Sequence, residues 1–203
     1  MKLYTTEGAP NPRRVRIFLS EKGINVPMQE ISIMKQEHKT DEYRKISPFS
    51  RLPALVLEDG SVLLESVAIC RYFELLNPEP SLFGKTDMEQ VVIEMQNRKM
   101  ELEILMTVAG AFRHTHPAFS KLEKQNTAFG LVQKDAAEKR LQYLDKELAD
   151  KQYIAGKNFS IADITCLCAI DFCRPAKIEI PEDYKNLNRW IQEIKERPSS
   201  QIV

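Results

Sequence analysis

The spacing of apolar residues changes character near residue 80. Before it, the period switches every dozen residues. Leu3-Tyr4 reads as a short strand, and Val15, Phe18 and Leu19 recur at helical intervals in a segment that Gly23 brings to a stop. INVPMQEISI, residues 24–33, alternates as a second strand does, and the polar run MKQEHKTDEYRKI predicts a loop with a short helix. ALVL and VLL flank EDGS, which predicts a hairpin over 54–64 turning at Asp59-Gly60. ESVAICRYFELL, residues 65–76, places apolar side chains at 68, 69, 72, 73 and 76, the spacing of a helix face. The predicted order is strand, helix, strand, helix, strand, strand, helix.

NPEPSLFGKT, residues 77–86, has no periodicity and carries two prolines and a glycine, so it predicts a linker between domains at 1–79 and 87–203. Everything beyond it is helical in pattern. Asp87 to His116 predicts one long helix stopped by Pro117, and Leu122 to Leu148 another, interrupted around Gly130. SIADITCLCAIDFC is apolar on every side, which marks residues 161–173 as the centre of the second domain, and NLNRWIQEIKERP predicts a last amphipathic helix. Ser160-Ile161-Ala162-Asp163 matches a capping box, a folding signal rather than chemistry.

Composition narrows the function classes. A chain of 203 residues with 43% hydrophobic content can bury a substantial core in one or two domains. Lys plus Arg and Asp plus Glu are both 29, so no basic excess points to nucleic acid or an anionic membrane. No apolar run is long enough to span a bilayer, and MKLYTTEGAP has none of the features of a signal peptide, so the cytoplasm is the expected location. Cys70, Cys166, Cys168 and Cys173 lie in apolar segments without a CxxC pair, which fits buried reduced thiols and no metal. His114 and His116, two apart, do not share a helix face and read as helix-terminal histidines rather than a zinc pair.

SRLPALVLEDGSVLLES, with RRVRIFLSEKG before it and NFSIADIT and ERPSS after it, resembles the cytosolic glutathione transferases over essentially the whole chain. The spaced set Leu52-Pro53, Glu65-Ser66 and Ser160-x-x-Asp163 carries the resemblance. It implies an α+β protein: a thioredoxin-like N-terminal domain with a glutathione site, then an all-α C-terminal domain with an electrophile pocket facing it. Pro53, cis in that family, turns the amide and carbonyl of Leu52 toward a peptide bound as an added strand. Glu65 would pair with the γ-glutamyl ammonium, and Ser66 and the helix start would take its carboxylate. Arg51 and His38 point to the glycyl carboxylate, Arg51 with a permanent charge. The resemblance further implies a cytoplasmic detoxification enzyme and a homodimer, with Phe49 either docking into the partner subunit or packing in its own core. Ser47-Pro48-Phe49-Ser50 stands where the family often has Asn-Pro-x-Gly.

The group that activates the glutathione sulfur is the main departure. Most classes keep Tyr, Ser or Cys near the first strand-to-helix turn; here that turn reads Ala9-Pro10-Asn11-Pro12, which excludes mixed-disulfide chemistry there. Tyr4 falls inside the strand and reads as core, and Thr5 and Thr6 are further hydroxyls. Asn11 has two compatible readings. It is a helix N-cap followed by proline, and it matches an asparagine that bacterial and fungal-type branches keep near the sulfur. A second candidate comes from atypical fungal-type transferases, where a His and a Ser six residues apart hold a water at the sulfur; His114 and Ser120 have that spacing. Phe112, Arg113 and Phe119 would then line the electrophile pocket. The resulting expectation is conjugation of glutathione to small apolar electrophiles. A non-catalytic interaction protein of the same fold, or a glutathione-dependent isomerase or peroxidase, stands as the alternative.

Overall fold

Backbone pairing begins at once: Lys2–Thr5 forms β1, and α1 (Pro10–Glu21) carries the chain across to β2 (Met28–Glu30), which pairs parallel to β1 with Leu3 opposite Met28. A parallel neighbour needs such a crossover, and α1 supplies it by burying Val15, Ile17, Phe18 and Leu19. In this computed structural model, which describes residues 1–203, the chain divides into two units, Met1–Ser81 with Gln201–Val203 and Leu82–Ser200.

In the first unit, α2 (Asp41–Ile46) precedes the hairpin of β3 (Ala54–Val56) and β4 (Val62–Leu64), and α3 (Ser66–Leu76) follows. The four strands lie in the order β2-β1-β3-β4, with β1 and β3 antiparallel and Leu55 facing Leu63 across the hairpin. The turn forms where the sequence predicts it: Gly60 takes φ +83°, and the Asp59 carboxylate accepts from the Ser61 N–H at 2.9 Å. β2 is shorter than the alternating pattern of 24–33 suggested. It is an exposed edge strand that starts after Pro27, which has no N–H to give and contributes only its carbonyl, to Leu3 N at 2.9 Å. Past the end of α1, the Lys22 ammonium meets Glu74 at 2.5 Å and donates to the carbonyls of Asn77 (2.7 Å) and Pro80 (2.5 Å), tying the end of α3 and the residues after it to α1.

The second unit is helical. The segment predicted as one helix is α4 (Asp87–Lys99), a π-helical stretch Met100–Leu105 and α5 (Met106–Thr115), with Pro117 beyond it. At the return to α geometry the Thr107 hydroxyl contacts the carbonyls of Glu103 (2.7 Å) and Ile104 (2.8 Å), satisfying acceptors that the change of helix type disturbs. α6 spans Thr127–Glu147 without a break at Gly130. That glycine marks a close approach: a Cβ there would stand 2.6 Å from Thr115 Cγ2, so the absent side chain lets α6 lie against α5. α7 (Ile161–Cys173) buries every residue but Asp171 and Phe172, as its all-round apolar pattern requires. Its capping box is formed, and the enclosed Asp163 also accepts from Ile154 N (2.8 Å) and from Trp190 Nε1 (3.0 Å) on α8 (Lys185–Lys195).

Candidate functional site

The first unit gathers most of the predicted binding residues around the starts of β3 and α3. Leu52-Pro53 is cis. The backbone before it is held on both sides: Arg51 N donates to the Ser47 hydroxyl at 3.0 Å, and the Tyr43 hydroxyl donates to Arg51 O at 2.8 Å. Ser50, at the position where the resemblance implies glycine, adopts φ +55°, so the turn takes its left-handed geometry without a glycine. Leu52 lies outside β3, and neither its N–H nor its C=O is hydrogen-bonded within the chain. This leaves a donor and an acceptor side by side for an extended ligand.

Glu65 is the N-cap of α3 with φ +68° and ψ +117°, and its exposed side chain caps nothing. A non-glycine residue held there is strained by about 1–3 kcal/mol. The first intrahelical bond is made by Ile69 N to Glu65 O, so the N–H groups of Ser66, Val67 and Ala68 are unspent at the positive end of the helix. Ser66 is only 4% exposed and accepts from Arg14 Nη1 at 2.6 Å. Arg14, wholly buried, did not emerge from the apolar pattern, although it lies four residues before Phe18 on the buried face of α1.

His38 sits in a single 3₁₀ turn, Glu37–Lys39. Burial, and then the charges of Lys39 and Arg51, hold its imidazole below the usual histidine range, so the ring is neutral at pH 7. Arg51 beside it is exposed. Together they offer one permanent cation and one neutral ring.

Asn11 lies elsewhere than a cap. The helix starts one residue earlier than the sequence suggests, with Ala9 as N-cap, Pro10 first and Asn11 second, and no side chain caps it. Ala9 has no side-chain acceptor, and with the helix already begun at Pro10, Asn11 sits inside the first turn, where it cannot be the N-cap; Pro10 and Pro12 have no N–H. Arg13 N already bonds Ala9 O at 3.1 Å. The first turn therefore presents one backbone donor, the Asn11 N–H, beside an exposed Asn11 amide. Tyr4 is half-buried and packs edge-on against Tyr43, with ring centroids 6.0 Å apart.

In the helical unit, Phe112, His116, Phe119 and Phe172 form an aromatic cluster around Phe112, with centroid distances of 4.6 to 4.9 Å. Arg113 forks onto Glu123, and the Gln125 amide donates to the carbonyls of Arg113 (2.8 Å) and His116 (2.9 Å), stapling the loop after α5 to the helix end. His114 Nδ1 accepts from Asn126 N at 3.1 Å and its ring meets Phe129 edge-on at 5.0 Å. Ser120 is exposed and donates to Pro117 O at 2.8 Å.

Exposed apolar side chains separate two readings of Phe49. At 85% exposure it is not packed in the core of its own subunit. Along the α4–α5 helix Met88, Val91, Met95, Leu102 and Met106 form a further exposed stripe, each at least 50% accessible.

Two family models match the chain in order: the glutathione S-transferase N-terminal domain over residues 9–76 and the C-terminal domain over residues 104–198. Glutathione S-transferase 2 of Saccharomyces cerevisiae is 37% identical, with 98% of this chain and 87% of that protein aligned. Among solved structures, Gtt2 from Saccharomyces cerevisiae superposes with a TM-score of 0.93 at 37% identity over 99% of both chains. A glutathione S-transferase domain-containing protein from Marinobacter aquaeolei VT8 gives 0.95 at 36% identity, over 99% of this chain and 100% of that one. Both domains in sequence, and a relative of this identity along nearly the full length, make this protein a glutathione transferase of the cytosolic superfamily.

Proposed function

We propose that the protein conjugates the thiolate of glutathione to small apolar electrophiles, as a cytoplasmic detoxification enzyme. The observation that carries the reading is the set in the first unit: the free Leu52 backbone pair, strained Glu65 and buried Ser66 at a helix start with three unspent donors. Glutathione lies along Leu52 and Pro53 as an added strand, with its γ-glutamyl carboxylate on Ser66 and the helix end and its ammonium on Glu65. The glycyl carboxylate is taken by Arg51, with His38 as a neutral partner.

At the cysteinyl end, the Asn11 amide and backbone N–H and the helix dipole favour the charged sulfur. The thiol S–H bond breaks with its proton passing to water and the electron pair staying on sulfur, which then forms a C–S bond at the electrophilic carbon as the leaving group, chloride in the case of 1-chloro-2,4-dinitrobenzene, departs with the pair of the bond that breaks. His114 and Ser120 hold a water for this step. Because His114 Nδ1 accepts from a backbone N–H, Nε2 is the ring nitrogen left to donate to that water. Phe112 and Phe119 line the electrophile pocket, and Arg113 contributes its aliphatic stem there, since Glu123 engages its guanidinium. A second copy of the chain covers Phe49 and the α4–α5 stripe.

Calorimetry with glutathione, followed by a pH profile of conjugation to 1-chloro-2,4-dinitrobenzene, tests the reading. Wild type should bind glutathione; Asn11→Ala and His114→Ala should each lower kcat/KM about tenfold, or about 1.4 kcal/mol, and Asn11→Ala should move the profile to higher pH. Absence of glutathione binding would sink the function, and an unmoved profile in Asn11→Ala would remove that residue from thiol activation.

A further inference from the structure

The Ser66 hydroxyl has a direction. Its oxygen already accepts from Arg14 Nη1 at 2.6 Å, and its hydrogen has no acceptor within the chain although the residue is only 4% exposed. A buried serine that receives a guanidinium N–H on one lone pair must point its own O–H elsewhere, and a buried hydroxyl hydrogen without an acceptor is disfavoured. Arg14 comes from the second turn of α1 and is wholly buried, so its side chain has little freedom to release this bond. The cation lies behind the first residue of α3, where the N–H groups of Ser66, Val67 and Ala68 already converge.

We propose that Arg14 is a positioning residue for the anion site at the start of α3: it fixes Ser66 as an outward donor and adds a buried positive charge behind it. The inference rests on the glutathione reading, and it specifies which part of the ligand Arg14 serves. The γ-glutamyl carboxylate is the group that receives the Ser66 hydrogen. Arg14 itself touches no ligand atom. Its effect belongs to that carboxylate alone, and a residue that merely held α1 against α3 would act on every ligand alike.

The test compares two ligands by calorimetry on the intact protein: glutathione and 4-aminobutyryl-cysteinylglycine, which lacks only the γ-glutamyl carboxylate. Wild type should prefer glutathione. Arg14→Met should weaken glutathione about 10- to 100-fold, the range for a hydrogen bond to a charged group, and leave the decarboxylated analogue within about twofold. Arg14→Lys, which keeps the charge and is the safer variant for folding, should give a smaller loss confined to glutathione, because a flexible ammonium lacks the planar fork. Equal losses for both ligands, or no loss of glutathione in either folded variant, would overturn the positioning role. Failure of the wild-type protein to bind glutathione would remove the γ-glutamyl assignment itself and this inference with it.

Discussion

Glu65 stores a conflict between backbone and side chain. At φ +68° glycine would sit without strain, yet the position holds a glutamate whose side chain caps nothing. Glu65→Gly should therefore keep the melting temperature or raise it by a few degrees, since relief of about 1–3 kcal/mol of strain is partly offset by the freer unfolded chain. The same variant should lose glutathione affinity by about tenfold or more. A clear fall in melting temperature would instead show that the Glu65 side chain holds the fold. At this scale the sequence was readable where a residue's chemistry is the message: Leu52-Pro53 and Glu65-Ser66 stand together at one end of the first unit. Arg14 was hidden because a charge on a buried helix face breaks the apolar pattern that would otherwise flag it. Asn11 was misread as a cap because the cap rule looks at the residue before a proline, and here an earlier proline, Pro10, starts the helix and leaves Asn11 at its second position.

Elements followed their patterns where one periodicity dominated. The hairpin, α3, α7 and α8 fall where spacing put them. Features that depend on a neighbouring element were not legible: the shortened β2, the π stretch at Met100–Leu105, and Gly130, which reads as a break and acts as the contact between α5 and α6. Asp163 joins three elements in one buried carboxylate, and burial pushes it up from 3.8 to about 6, against hydrogen bonds from Ile154, Trp190 and Ser160 that pull it down. The folded state thus binds the proton more tightly than the unfolded chain. The contribution of Asp163 to stability is largest below about pH 4 and declines as pH rises to about 6, by on the order of 3 kcal/mol. Denaturant unfolding of wild type and Asp163→Asn across pH 4 to 7 measures it: the stability of wild type relative to the variant should fall through that window. A constant difference would mean that the carboxyl keeps its ordinary affinity for protons.

The whole molecule exposes a set of large apolar side chains on its surface. Phe49, together with Met88, Val91, Met95, Leu102 and Met106, fits a proposed homodimer. Phe49→Asp should shift the molecular mass measured by light scattering from dimer toward monomer, with the circular dichroism spectrum retained. A mass that stays at that of two chains would place the interface elsewhere.

The two helix starts of the first unit differ in denticity. α3 opens with three unspent N–H groups, a many-toothed grip suited to an anion that spreads its charge over several oxygens. In α1 the prolines at 10 and 12 strip the first turn to the single N–H of Asn11. An end with one tooth is a poor host for phosphate, sulfate or a carboxylate and a good match for an anion of one atom, so in the proposed glutathione reading the pair of prolines would sort anions by shape: oxyanions to α3, a lone sulfur to α1.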